Sequence, residues 1–335
     1  MTTQLRPSAP PHLDVALDAR DLVKIYPTGR GKDPVRALSG LSIQVAAGSV
    51  FGLLGPNGAG KSTTVKILTT LSRADSGRAS VAGIDVTLAP DRVRRAIGLV
   101  SQKPSSDPKA TGRENLVLAA RIQGLRRRDA HTRADELFDR FGLAGAADRL
   151  VRTYSGGMAR KLDVAIGLIH RPRVLFLDEP TTGLDPEARA DMWAEIARLA
   201  AEEQLTVLLT THYLDEADHL ADRLAIVDRG RVVVEGTPDE LKSELRGDTV
   251  HVEFDNSEAS AAALRMVERM PGLGGIVPEG LGLRARADLG ARAVPALLST
   301  LDEAGIAVAS VTVARPSLDD VYLRHVGRRF EGDHS

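Results

Sequence analysis

Residues 55 to 62 read Gly-Pro-Asn-Gly-Ala-Gly-Lys-Ser, a complete G-x-x-x-x-G-K-[ST] phosphate-binding loop. Such a loop works only where a buried strand runs into the N-terminus of a helix, so it constrains the fold as well as the chemistry. The flanks agree. Ser49-Val50-Phe51-Gly52-Leu53-Leu54 is a short apolar run that reads as a strand, and Ser62 to Leu68 reads as a helix with Val65 and Leu68 on one face. Gly55, Gly58 and Gly60 let the main chain turn tightly and approach phosphate oxygens. Pro56 sets the turn without an N–H of its own, and the exposed N–H groups of Asn57-Gly58-Ala59-Gly60 and of Thr63 at the helix start belong to the same anion nest. Lys61 is expected to reach the β- and γ-phosphates of a nucleoside triphosphate, and the Ser62 hydroxyl to ligate Mg2+.

The length of 335 residues suggests two domains, or one large and one small. A net charge of −1 gives no global attraction to nucleic acid or to an anionic membrane surface, and 3% aromatic residues are too few for a base-stacking platform. No nucleic-acid partner is therefore expected. The lack of cysteine excludes disulfides and thiolate metal sites and agrees with a reducing compartment. No apolar run approaches the roughly 18 residues that span a bilayer. Residues 1–14 are polar and proline-rich, without a signal-peptide core, and read as a disordered lead.

From 15 to 245 short apolar runs alternate with longer amphipathic stretches, the pattern of an α/β fold with a largely parallel sheet. The clearest strands are Val50–Leu54, Ile97–Val100, Val174–Leu177 and Thr206–Thr210, with a late one at Val232–Gly236. Thr111 to Arg152 is helical and charged, and about 105–165 reads as a helical subdomain. Its run Arg126-Arg127-Arg128 is a solvated face. A second, α+β unit is expected over 246–330. Strands at Thr249–Phe254, Gly274–Val277, Leu281–Ala287 and Ile306–Val313, with helices at Ser257–Met270 and Val294–Ala304, give the ferredoxin-like order β-α-β-β-α-β, and Ser317–His325 closes it as a helix. Its His251, His325 and His334 do not have metal-site spacing.

The strand Val174–Leu177 runs into Asp178 and Glu179. Downstream of a phosphate loop, Asp178 stands where a Mg2+ ligand belongs and Glu179 where a carboxylate can deprotonate an attacking water. Shortly before it, Tyr154-Ser155-Gly156-Gly157-Met158 resembles the signature motif of ABC ATPases, with Tyr for the usual Leu and Met for the usual Gln. The resemblance extends in order along the chain. Tyr26 matches the aromatic that stacks on adenine, although a lone tyrosine packed on a sheet edge reads the same. Gln102 matches the glutamine that senses Mg2+ and the attacking water, Gly183-Leu184-Asp185-Pro186 the loop that communicates across the dimer, and His212 the histidine that acts on the γ-phosphate. The resemblance implies ATP and Mg2+ as ligands. It also implies a second copy of the chain, whose Ser155-Gly156-Gly157 closes over the nucleotide.

Tyr154 to Asp163 and the ending Arg315-Pro316-Ser317-Leu318-Asp319-Asp320-Val321-Tyr322-Leu323 are similar to the ATP-binding subunits of daunorubicin/doxorubicin-resistance exporters. That type implies a separate ABC-2-type permease, attachment to the cytoplasmic face of the membrane, and export of an amphipathic compound such as an antibiotic. Members moving lipids, polysaccharides or peptides, and non-transport ABC ATPases, remain alternatives. The tail is expected to brace the dimer or grip the permease, or to act as a stabilising appendage.

Overall fold

A computed structural model describes residues 15–27, 33–245 and 247–327, so the expected disordered lead at 1–14 lies outside the described residues. The chain divides into two compact units between Pro238 and Asp239.

The first unit opens with β1 (Val15–Tyr26) and β2 (Val35–Ala46), an antiparallel pair. The central strand β3 (Val50–Leu54) follows, then the phosphate loop and α1 (Lys61–Leu68). The chain returns through β4 (Ser76–Val81), β5 (Ile84–Asp85) and α2 (Pro90–Ala96) into β6 (Ile97–Val100). Three helices come next: α3 (Gly112–Ile122), α4 (Arg127–Arg140) and α5 (Gly156–Leu168). The rest of the unit is β7 (Val174–Asp178), α6 (Pro186–Glu203), β8 (Thr206–Thr211), α7 (Leu214–Leu220), β9 (Arg223–Asp228) and β10 (Arg231–Gly236).

A six-stranded sheet runs β10-β9-β3-β8-β7-β6, with every pair parallel except the antiparallel edge β10 on β9. Its inner strands are buried on both faces, which is why they read as continuous apolar runs. Period-two alternation sends Leu175, Leu177, Val207 and Leu209 to a core shared with Leu116, Phe138, Leu162 and Ile196 of the covering helices. Phe51, Phe176, Leu208 and Val227 face the other way, into a core with Leu17, Leu22, Leu38 and Ile43. That second layer is a four-stranded antiparallel sheet, order β2-β1-β4-β5, which the sequence reading did not distinguish from the parallel one. Arg126, Arg127 and Arg128 are exposed at the start of α4.

The second unit begins earlier than the expected boundary at 245. Arg286 Nη2 donates to Leu245 O (2.8 Å) and Arg324 Nη1 to Glu244 O (3.2 Å), which ties the end of α8 (Pro238–Ser243) to this unit. Then come β11 (Asp248–Glu253), α9 (Ser257–Val267), β12 (Leu273–Glu279), β13 (Gly282–Ala287), α10 (Gly290–Glu303), β14 (Ser310–Ala314) and α11 (Leu318–Val326). The antiparallel sheet order β12-β13-β11-β14 is that of a ferredoxin-like sandwich. Val250, Val252, Phe254, Leu283 and Ala285 pack on Ala263, Val267, Leu297 and Leu301. The second helix starts before Val294, because Gly290 N donates to Asp248 Oδ2 (2.8 Å) and anchors the first turn. The last strand starts at Ser310 rather than Ile306, since Ile306 and Val308 pack into the core as connection. The opposite sheet face meets α11 through Arg284, whose Nη1 donates to Asp320 Oδ1 (2.8 Å) and Asp319 Oδ2 (3.1 Å).

Candidate functional site: a nucleotide site at one edge of the parallel sheet

Strand register assembles the site. Leu54 of β3 lies beside Thr211 of β8, Asp178 of β7 beside Thr210, and Val100 of β6 beside Leu177. Parallel strands in that register end at one level. The residues that follow them, Gly55, His212, Glu179 and Ser101-Gln102, therefore emerge together at the carboxyl edge, where open α/β sheets bind ligands.

The loop is held from below. A Cβ on Gly55 would lie 2.3 Å from Val227 O, and Gly60 has φ +114°, so neither position accepts a side chain. Ala59 O accepts from Gly230 N (2.8 Å), which fastens the loop to the β9–β10 turn. Lys61 is buried, and its Nζ donates to Gly55 O (2.6 Å) and Pro56 O (3.3 Å). Burial pushes its ammonium below the ordinary lysine value, against the pull of Glu179 and Asp178. A cavity of about 290 Å³ is lined by Tyr26, Val35 and Ala37 together with Pro56, Asn57, Gly58, Ala59, Gly60, Lys61, Ser62, Thr63 and Glu179. Tyr26 thus stands on the same cavity as the loop, with Lys24 Nζ 5.4 Å from its ring centre. A larger depression of about 850 Å³ at the opposite ends of β7 and β8 holds none of these residues.

Glu179 is the hub. Its Oε1 lies 3.8 Å from Lys61 Nζ and 3.2 Å from His212 Nδ1, and its Oε2 accepts from Gln102 Nε2 at 2.9 Å. The imidazole beside it, then the Lys61 ammonium, hold its carboxyl below the usual carboxylate value against the opposing effect of burial. The 3.2 Å approach of His212 lacks hydrogen-bond alignment, and both ring nitrogens are buried without a hydrogen-bond partner. Ser62 Oγ donates to Asp178 Oδ1 (3.2 Å), which also accepts from Thr210 Oγ1 (2.6 Å). A hydroxyl and a carboxylate in contact beside a phosphate loop are the hard oxygen donors that Mg2+ takes, so these residues fit the ion. Among the described residues no group of three or more His, Cys, Asp or Glu could hold a metal ion.

Ser155, Gly156, Gly157 and Asp185 do not line this cavity. Ser155 caps α5, its hydroxyl accepting from Met158 N (3.2 Å), and Asp185 caps α6 by accepting from Ala188 N (2.8 Å). The two helix starts touch, since a Cβ on Gly157 would lie 3.0 Å from Ala188 Cβ. The Ser155-Gly156 end is thus an exposed helix N-terminus that does not line the phosphate-loop cavity.

Three contributing residues have no role assigned by the sequence reading, although Arg160 lies within the stretch Tyr154 to Asp163. Thr210 accepts from Glu179 N (3.1 Å) while holding Asp178, Thr182 Oγ1 stands 3.5 Å from Glu179 Oε2, and Arg160 is buried beneath the loop between β7 and α6. Only their nearness to motif residues in sequence could have drawn attention to them.

A phosphate loop, a carboxylate hub and a buried imidazole at one sheet edge, with a second helix N-terminus elsewhere, define an ABC-type ATPase. The family model described as "ABC transporter" matches residues 38–182, and one described as "ATP-binding protein DrrA1-3-like, C-terminal domain" matches 236–326. The chain is 46% identical, over 93% of its length and 92% of the relative's, to the daunorubicin/doxorubicin resistance ATP-binding protein DrrA of Streptomyces peucetius. It is 33% identical, over 93% and 98%, to the linearmycin resistance ATP-binding protein LnrL of Bacillus subtilis. A dimeric, post-hydrolysis ATP-binding cassette bound to ADP and Pi superposes with a TM-score of 0.60 at 25% identity, covering 66% of this chain and 98% of that one. The chain belongs to the daunorubicin/doxorubicin-resistance type of ABC transporter ATP-binding proteins, and it hydrolyses ATP.

Proposed function

We propose that the chain energises export of a drug-like amphipathic compound through a separate ABC-2-type permease, as a peripheral subunit on the cytoplasmic face of the membrane. Support comes from the names of its relatives, and from the absence of a helix long and apolar enough to cross a membrane among the described residues. The working unit is a pair of chains, each holding ATP in the Gly55–Thr63 loop with Tyr26 against the adenine. Ser155-Gly156-Gly157 of one chain closes over the triphosphate of the other, beside Asp185. The exposed helix N-terminus at Ser155, which does not line the cavity of the loop in its own chain, supports this reading.

The observation that carries the catalytic assignment is the buried group around Glu179, with the unpartnered His212 ring beside it. Glu179, held ionised, accepts a proton from the attacking water, Gln102 orients the carboxylate, and His212 donates toward charge developing on the γ-phosphoryl oxygens. Lys61 neutralises the phosphates. Ser62 and Asp178, with Gln102 adjacent, would hold Mg2+, which when bound offsets charge on the phosphate oxygens. Coupling to transport follows from unequal affinity of the open and closed pair for ATP and ADP.

Glu179→Gln is expected to bind ATP and hydrolyse it at least about a hundredfold more slowly than the natural chain. A near-normal turnover would move the base elsewhere. Detergent pull-down of the full chain from native membranes is expected to recover a multi-span permease, and vesicles carrying both are expected to accumulate daunorubicin in an ATP-dependent way. Recovery of soluble partners alone would overturn export.

A further inference from the structure

Arg160 is an anomaly in charge placement. It sits on the second turn of α5, just beyond the Ser155 cap, with only 8% of its surface exposed. Buried cations normally meet a carboxylate. The hydrogen bonds of this guanidinium among the described residues all end on main-chain carbonyls: Nε to Pro180 O (2.7 Å), Nη1 to Ser101 O (2.7 Å), and Nη2 to both Asp178 O and Glu179 O (3.2 Å each). The planar fork of arginine is the one side chain with enough fixed donors to hold four acceptors at once.

What it holds is the strained part of the site. Glu179 has φ +49°, the left-handed region that a residue with a side chain rarely adopts and that surrounding contacts must enforce. On one side Glu179 N is bound by Thr210 O (3.1 Å), and on the other the carbonyls of Asp178, Glu179 and Pro180 converge on Arg160. The fourth carbonyl, Ser101, precedes Gln102, whose amide donates to Glu179 Oε2. One side chain therefore fixes both the backbone of the carboxylate and the backbone of the amide that aims it, and it belongs to the helix that begins at Ser155.

We propose that Arg160 is a positioning residue. It holds Glu179 and Gln102 in working geometry and ties both to the signature helix, so that displacement of α5 reaches the carboxylate directly. The proposal rests on Glu179 acting as the base, as argued above.

Steady-state hydrolysis of Mg-ATP by the full-length chain tests it, with Arg160→Gln, Arg160→Lys, Glu179→Gln and the double variant Arg160→Gln/Glu179→Gln. Arg160→Gln is expected to lower kcat at least about tenfold with KM within about twofold, because loop and Lys61 are untouched. Arg160→Lys, which keeps the charge but not the fork, recovers part of that loss. In the Glu179→Gln background, read by single-turnover hydrolysis, the Arg160 change is expected to cost less than about twofold, since there is no base left to misplace. Unchanged kcat in Arg160→Gln, or an undiminished loss in the double variant, would overturn the proposal. Normal turnover in Glu179→Gln would remove the base assignment and this proposal with it, a result distinct from failure of the Arg160 variants alone. Thermal melting and binding of a fluorescent ATP analogue show whether each variant is folded. If Arg160→Gln is not, Arg160→Lys carries the test on the same kcat-against-KM criterion, and its unchanged kcat overturns the proposal.

Discussion

Glu179 and Glu216 are both buried carboxylates, and their surroundings push them in opposite directions. Glu216 accepts from Thr181 Oγ1 (2.7 Å) and Trp193 Nε1 (3.1 Å) through one oxygen, and burial raises its affinity for a proton. An unfolded glutamate ionises near about pH 4.3. Between that value and the raised folded one, the folded chain holds more protons than the unfolded chain, so stability falls as pH rises through this window. Glu216→Gln keeps an acceptor for both donors and abolishes the titration. Its melting temperature is expected to gain on the natural chain as pH rises from the unfolded glutamate value toward neutrality, and parallel curves would refute this. Glu179 has the opposite sign. Its lowered folded value contributes stability above the unfolded pKa, lost as pH falls through the folded one, and it is ionised at neutral pH. Lys61 Nζ rests on Gly55 O and Pro56 O, with Glu179 Oε1 farther off at 3.8 Å, so a phosphate would compete first with loop carbonyls. Lys61→Ala is expected to weaken ATP binding by more than about tenfold, through loss of a charge-assisted contact. Calorimetric titration showing unchanged affinity would sink its role.

At the scale of elements, Tyr154 explains a departure from the usual signature motif. Its hydroxyl donates to Ala146 O (2.7 Å), locking the turn before α5 to the end of α4's connection. That hydroxyl occupies the space where residue 112 would carry a Cβ: the separation would be 2.2 Å, so α3 must begin with glycine. Gly112→Ala is expected to destabilise the protein by about 1–3 kcal/mol through overpacking. The same change in a Tyr154→Leu background is expected to cost much less, and denaturant unfolding of the four-member cycle measures the coupling. Additive losses would mean that the two positions do not share the space. The first turn of α3 is otherwise well made, since Thr111 and Glu114 form a reciprocal capping box.

At the scale of the molecule, each unit closes its own core, the first in two layers either side of the parallel sheet and the second under one antiparallel sheet. In the second unit the buried Arg284 joins Asp319 and Asp320, and Thr249 Oγ1 adds a 3.2 Å bond to Asp320. Removing one partner of a buried ion pair leaves the other charge uncompensated, at a cost of about 3–5 kcal/mol. Scanning calorimetry is expected to resolve two transitions, with Arg284→Met lowering only the one that a chain of residues 239–329 shows by itself. A single transition shifted as a whole would mean that the units unfold together.

The residues proposed to act on phosphate stand out in the sequence because their chemistry is local: loop, signature, Asp178-Glu179 and His212 each lie in a few contiguous positions with the right donors. The βαββαβ order of the second unit was legible for a similar reason, since its strands alternate and its turns are short. Tertiary structure alone decided what those segments do together. Ser62 and Asp178, which share a hydrogen bond, are 116 positions apart, and only the hydrogen-bond register of β3, β8, β7 and β6 makes them neighbours. The antiparallel layer was hidden because β1 and β2 alternate like any half-buried strands, and a strand's pattern does not name its partner. Arg160 and Thr210 were hidden for the same physical reason: their roles lie in which distant carbonyls and carboxylates they face, and sequence spacing carries no such information.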